Sequence, residues 1–465
     1  MLDEFLSIFF TVIIRHGYMP KLLRNCTLIP VPKPGKDPSR SDNYRPIALA
    51  PNLSKVLEWS ILLRFGSFLS TSDLQFGFKP GVSTDSCTGL LKNTIALHLY
   101  RDTKVYGCFL DASKAFDRVS HNTLFSILEK RGVPHLLLRF LWSWYKSQSC
   151  AVKWNACVSE SFEVANGVRQ GGVLSPILFT VYLDELLQRL TSLDIGCHVG
   201  HHYVGSLCYA DDIALLAPSP SALRILLREC ELFATEHNLQ FNAAKTQLIC
   251  FRSSPKVKFT GKFFFSGHLL EFSDTVTHLG HVLHCSLDDG PDIKRATLEM
   301  CKKANVVLST FSACDPHVKT VLFSSHCLSL YGGVLWDISC NQIKSLEVAF
   351  NNILRRIWKL PRNCHTRILH KVARLDSVFN RLVSWSNRFS IKICQSKSAL
   401  LRSTFSRFLT CTITPVGHNH YVGQKYQKIY FQEDVICADF VRFLRLKSTA
   451  SDMDVEPMIY TICCD

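Results

Sequence analysis

Two adjacent acids in an otherwise apolar stretch constrain this chain more than any other feature. Tyr209-Ala210-Asp211-Asp212 lies between Val204-Gly205-Ser206-Leu207-Cys208 and Ile213-Ala214-Leu215-Leu216-Ala217. The flanks are β-rich and apolar, which predicts strand, tight turn, strand, with the acids at a rigid corner. Neighbouring residues on a strand point to opposite faces, so one carboxylate can sit at a metal site while the other stays near its edge. Two like charges side by side are costly without a cation. Taken alone, an Asp-Asp turn is also what a solvated hairpin looks like. A second acidic motif changes the weighing.

Far upstream, Val105-Tyr106-Gly107-Cys108-Phe109-Leu110 runs directly into Asp111, and after it the pattern turns helical. An acid at the end of a core strand is expensive unless something binds it. Asp111, Asp211 and Asp212 together supply hard oxygen ligands, few in number, with positions left for substrate phosphates and water. That donor set suits two Mg²⁺ ions, with Mn²⁺ as the alternative. One ion would lower the pKa of an attacking hydroxyl and the other would steady a pyrophosphate leaving group, so the reaction class implied is nucleotidyl transfer.

The rest of the composition fits a folded chain of 465 residues with two or three subdomains, 47% hydrophobic and without low-complexity tracts. The apolar run from Phe5 to Ile14 is about half the length of a bilayer crossing, and Asp3 and Glu4 precede it where a secretory signal carries positive charge. No export signal and no membrane span are expected. The 20 cysteines contain no Cys-x-x-Cys, so they read as reduced, mostly buried thiols of an intracellular protein. His198, His201 and His202 lack a regularly spaced acid or thiol beyond Cys197, and a solvated loop is the preferred reading over zinc.

Net charge is +15, concentrated late in the chain: residues 344 to 407 hold 14 basic and 2 acidic groups. Arg355, Arg356, Lys359, Arg362, Arg367, Lys371 and Arg374 interleave with Ile353, Leu354, Ile357, Trp358 and Leu360, which predicts amphipathic helices with a basic face. Phosphate backbone is the natural partner of such a face, and binding to it would be salt-dependent.

At this point the chain resembles the reverse transcriptase domain of non-LTR (LINE-type, jockey-like) retrotransposons, motif by motif to about residue 285 and more loosely to about 385. Leu28-Ile29-Pro30-Val31-Pro32-Lys33-Pro34-Gly35-Lys36-Asp37 with Asn43-Tyr44-Arg45-Pro46-Ile47 looks like the first fingers motif. The resemblance implies that Arg45 and one of Lys33 or Lys36 grip the incoming triphosphate. Gln75-Phe76-Gly77-Phe78-Lys79-Pro80-Gly81 is similar to the second, with Lys79 on the template where relatives often carry Arg. Asn166-Gly167-Val168-Arg169-Gln170-Gly171-Gly172 followed by Ser175-Pro176 looks like the turn that opens the palm helix, Gln170 lying against the nucleotide sugar. By position, Phe116 is the bulky ring that excludes a 2′-hydroxyl and selects deoxynucleotides. Asn238 to Gln247 matches the motif whose lysine, here Lys245, protonates pyrophosphate, although a surface lysine at a strand entrance reads the same way. Thr277-His278-Leu279-Gly280-His281 resembles the turn that grips the primer end. Lys79, Arg169, Gly171, Leu279, Gly280, Arg355, Arg356 and Lys359 are thereby expected along primer and template.

The implied fold is α+β, a right-hand polymerase. Residues 1–105 would form an N-terminal segment and fingers, 106–285 a palm with an antiparallel sheet and a fingers excursion near 125–165, 286–400 a basic helical thumb, and 401–465 a segment of unknown role. The implied function is an RNA-directed DNA polymerase acting on dNTPs, an RNA template and a DNA primer or target, in the nucleus during element integration and otherwise in the cytoplasm. No nuclease motif or Cys/His knuckle is present in the sequence. The expectation is therefore the polymerase portion of a longer element-encoded polyprotein, or a truncated copy. Two readings compete: a catalytically silent nucleic-acid-binding remnant, and an RNA polymerase of similar palm architecture, which Phe116 opposes.

Overall fold

The computed structural model describes residues 1–253 and 261–410; the expected C-terminal segment beyond 410 lies outside the described residues. The N-terminal apolar run forms a helix, α1 (Leu2–His16), stopped by Gly17 in the left-handed conformation, with Phe10 and Ile13 buried. No helix among the described residues is long and apolar enough to cross a membrane.

The first sheet grows from a proline-rich hairpin. Strands β1 (Cys26–Pro32) and β2 (Tyr44–Leu49) pair antiparallel with Val31 opposite Arg45, and Ser149–Trp154 joins β1 in parallel. Pro32 ends β1, and Pro30 faces Pro46 beyond the Cys26 to Leu28 stretch that pairs with the third strand, so the prolines fall where a missing N–H interrupts no second ladder. Behind this sheet, α2 (Asn52–Phe65) buries Leu57, Glu58 and Ile61. Helix α3 (Thr84–Tyr100) starts at a capping box in which Ser83 and Ser86 satisfy each other's backbone N–H groups.

The central sheet has the order β6, β3, β5, β4, where β3 is Val105–Leu110, β4 Ser206–Tyr209, β5 Asp212–Ala217 and β6 Gln247–Phe251. All three pairings are antiparallel. All six residues of β3 are buried, so the strand is covered on both faces and an apolar run is required there. Helix α4 (Ser175–Leu193), with a proline in its first turn, and α5 (Pro220–Glu236) pack beneath the sheet. A short hairpin, β7 (Thr275–His278) and β8 (His281–His284), leads into the helical C-terminal part. There α6 (Gly290–Thr310) packs against α7 (Asn341–Trp358), whose buried Ile343, Leu346, Phe350, Ile353, Leu354 and Ile357 follow the helical period. The architecture is α+β with the right-hand plan expected from the motifs: a four-stranded antiparallel palm sheet, a separate five-stranded sheet built on β1 and β2, and a helical bundle after them.

Candidate active site

Tertiary contacts bring Asp111 and the paired aspartates to the same end of the central sheet. Ile213 on β5 stands opposite Leu110 on β3, so the residue after β3 and the turn before β5 meet at one edge. Tyr209 pairs with Asp212 across the turn, and Ala210 takes a left-handed φ of 58°. That conformation costs a residue with a Cβ about 1 kcal/mol, and Gln75 offsets it. The Gln75 Oε1 accepts the Ala210 N–H at 2.9 Å, and its Nε2 donates to the Ala210 carbonyl at 3.3 Å. Gln75 is fully buried. Its neighbour Gly77 lies so close that an added Cβ would sit 2.4 Å from the Ala210 nitrogen.

The turn residue Asp211 and the first strand residue Asp212 face different cavities, and Asp111 borders both. Asp111 and Asp211 line a cleft of about 1060 Å³ together with Lys33, Arg45, Lys114, Phe116, Gln170, Gly171 and Lys245. Asp111 and Asp212 line a neighbouring cavity of about 400 Å³ with Lys245, His278 and Leu279. Burial raises the Asp211 carboxyl above its ordinary value, and the charge of Asp111 adds to it. Burial and the charges of Asp211 and Asp111 push Asp212 up to about 6. Lys245 Nζ pairs with Asp111 Oδ2 at 2.9 Å. The pair is set by backbone bonds from Asn242 N–H to the Asp111 carbonyl and from Ser113 N–H to the Gln240 carbonyl.

Among the described residues no three His, Cys, Asp or Glu side chains, these three aspartates included, are drawn together around an ion-sized space. The donor chemistry nonetheless fits a divalent cation. The carboxylates are hard oxygen ligands whose burial and, after it, mutual repulsion raise two of their pKa values, and bound positive charge relieves both.

The other expected residues separate into those that reach the cleft and those that do not. Lys33 lines it and donates to the Asp42 carbonyl at 2.8 Å; Lys36 is exposed on the same loop and does not line it. Phe116 stacks on Phe179 with ring centroids 4.5 Å apart. Gln170 accepts the Ala48 N–H on its carbonyl at 2.6 Å and donates from Nε2 to Asp117 at 3.1 Å. Gly171 has φ 116°, and a Cβ there would meet the Ala48 carbonyl at 2.7 Å, so this turn closes on β2 only with glycine. Leu279 and Gly280 form the turn between β7 and β8, both with positive φ. Their turn is held by the Tyr331 hydroxyl, which donates to the Leu279 carbonyl at 2.7 Å.

Two residues expected along primer and template have protein partners here. Arg169 is buried, its guanidinium paired with Glu58 at 2.8 Å and seated over the Trp144 ring. It is a strut under the Gln170 turn, because a buried guanidinium is stable only against a buried carboxylate. Lys79 is turned inward, donating to the Thr71 and Ser72 carbonyls at 2.9 and 2.6 Å. Its ammonium closes a loop onto these two carbonyls. The histidine cluster lies on a small hairpin, with His198 on Asp194 and His202 on Ser403.

Arg355, Arg356 and Lys359, at the end of α7, line a separate cavity of about 780 Å³ with Arg362, and none of the three aspartates lines it. Sequence reasoning placed Gln75 in a motif without a role of its own and missed Glu58. Each is a polar residue inside an apolar run, Leu74-Gln75-Phe76 and Leu57-Glu58-Trp59, and that incongruity was the available signal.

A family model described as "Reverse transcriptase (RNA-dependent DNA polymerase)" matches residues 31–282. The chain is 27% identical over 424 residues to a probable RNA-directed DNA polymerase from transposon BS of Drosophila melanogaster, covering 86% of this chain and 45% of that protein. It is 30% identical over 300 residues to the RNA-directed DNA polymerase from mobile element jockey of Drosophila funebris, covering 61% and 31%. It is also 30% identical over 247 residues to the retrovirus-related Pol polyprotein from type-2 retrotransposable element R2DM of Drosophila melanogaster, covering 52% and 23%. The chain thus spans less than half the length of these relatives.

Proposed function

The chain belongs to the reverse transcriptase (RNA-dependent DNA polymerase) family, and on that premise we propose that it is the polymerase portion of a non-LTR retrotransposon protein, joining dNTPs to a primer 3′-hydroxyl on an RNA template. The observation that carries the reading is the shared position of Asp111. It borders a cation-lined cleft with Asp211 on one side and a cavity with Asp212 and Leu279 on the other, which separates a place for nucleotide from a place for the primer end.

Lys33 and Arg45 bind the triphosphate; Arg45 supplies a forked donor suited to phosphate. Phe116, fixed by its stack on Phe179, fills the volume a ribose 2′-hydroxyl would need, and Gln170 lies along the sugar. Asp111 and Asp211, with Asp212 at the edge, hold the divalent ions, Mg²⁺ or Mn²⁺, which when bound supply charge neutralisation and an acidified hydroxyl. Lys245 stands at Asp111 and gives up a proton to pyrophosphate as the leaving oxygen develops charge. Leu279 and Gly280 seat the primer end, and Gly171 lets the backbone approach the new pair. Arg355, Arg356 and Lys359 track duplex phosphates. Residues 1–105 with the excursion near 125–165 act as fingers, 106–285 as palm and 286–400 as thumb. Synthesis primed at a genomic target takes place in the nucleus, alongside other domains of a longer polyprotein.

Primer extension on an RNA template tests this directly. Mg²⁺-dependent dNTP incorporation by the parent, abolished by Asp211→Asn, is the expected result. Retained duplex binding without incorporation would leave only a silent remnant.

A further inference from the structure

Lys114 has no role in the chemistry above, yet it lines the same cleft as Asp111, Asp211, Lys33 and Arg45. Its ammonium reaches across to the loop after β1 and pairs with Asp42 Oδ1 at 2.8 Å. The same Asp42 receives the Lys33 ammonium on its backbone carbonyl, also at 2.8 Å. One residue therefore gathers two ammonium groups, one from each wall of the cleft. Lys114 also holds a left-handed φ of 48° between Asp111 and Phe116, a conformation that a residue with a Cβ keeps only where its surroundings impose it.

The ion pair is open to water, with side chains 59% and 65% exposed. Exposed pairs of this kind contribute little to stability, so exchanging the partner is cheap. A phosphate chain carries more negative charge than one carboxylate and offers several acceptor oxygens. We infer that Lys114 is a third cation of the phosphate subsite, stored on Asp42 and transferred to the β- and γ-phosphates of an entering nucleoside triphosphate. The inference rests on the nucleotide reading of the cleft and adds a residue and a competitor to it: Asp42 holds the site closed to weak anions, and a triphosphate displaces it.

The test titrates the full chain with inorganic tripolyphosphate by calorimetry and measures dNTP KM and kcat in primer extension. Lys114→Gln is expected to weaken tripolyphosphate binding and raise dNTP KM by about tenfold, with kcat held within about twofold, and Lys114→Arg to restore most of the loss. Asp42→Asn is expected to tighten both, because it removes the competitor and leaves Lys114 in place. Unchanged tripolyphosphate affinity in Lys114→Gln would overturn the inference. So would Asp42→Asn weakening binding as much as Lys114→Gln, since the pair would then be a structural latch. A parent that binds tripolyphosphate through Lys114 but incorporates no dNTP would uphold the subsite and sink the polymerase reading.

Discussion

Glu58 carries the Gln170 turn on one carboxylate. Its Oε1 takes the Arg169 guanidinium at 2.8 Å, while its Oε2 accepts the Leu174 N–H at 2.9 Å and also the Val173 N–H. The negative charge sits at the entrance of α4, where free N–H groups favour an anion. A residue on α2 therefore sets the shape of a turn more than a hundred positions later.

Removing that support should be costly. Glu58→Ala is expected to lower unfolding free energy by roughly 3–5 kcal/mol, because it strands a buried guanidinium. Glu58→Leu combined with Arg169→Met should recover much of the loss in urea unfolding. A single variant as stable as the parent would mean that Arg169 finds another partner or reaches solvent.

The contact between Gly77 and the Ala210-Asp211 turn, under the proposed polymerase reading, predicts an effect on rate. A Cβ at 2.4 Å from the Ala210 nitrogen must push the Asp211 turn or the Gln75 segment aside. Gly77→Ala is expected to cut kcat roughly a hundredfold, the scale of an ångström-level misplacement of reacting groups, with duplex affinity nearly unchanged. Equal kcat in variant and parent would show that the turn is held by something other than this contact.

Sugar discrimination should follow ring volume. Phe116→Ala is expected to admit ribonucleotides, narrowing the dNTP over NTP preference in kcat/KM by roughly ten- to a hundredfold. Competing the two sugars on one template measures it. A parent that uses both equally would remove Phe116 from the specificity assignment.

Acid sensitivity is built into the β7–β8 turn. Burial, with the charge of His281 added, pushes the His278 imidazole from 6.5 down to about 3, and its ring packs on Phe109 at 4.8 Å. The folded state therefore holds this histidine neutral, while the unfolded chain takes up a proton below 6.5. Stability from this group is complete above that value and falls as pH drops towards 3, by about 2 kcal/mol at pH 5. His278→Phe should flatten that part of the unfolding profile; an unchanged slope between pH 4 and 6 would place the sensitivity elsewhere.

Several elements were legible from local pattern because their determinants are local. The apolar run into Asp111, the strand–turn–strand pattern around Ala210 and Asp211, and the helix-starting Ser175-Pro176 all carry their signal in neighbours within a few positions. The partners of Arg169, Lys79 and Lys36 were not legible. A basic residue beside a motif reads as a phosphate contact whether its side chain ends in solvent, on a backbone carbonyl or on a buried acid. Only the Glu58 carboxylate and the Thr71 and Ser72 carbonyls decide which.

By itself, the sequence determined the order of the motifs, the identity of the acids and the period of each strand and helix, since covalent spacing and side-chain alternation are properties of the chain alone. The tertiary structure alone decided that Asp111 borders two cavities, that Gln75 braces the Ala210-Asp211 turn and that Lys114 shares Asp42 with Lys33. Those relations join residues far apart in the chain, and a hydrogen bond or ion pair depends on distances of a few ångströms that only packing sets.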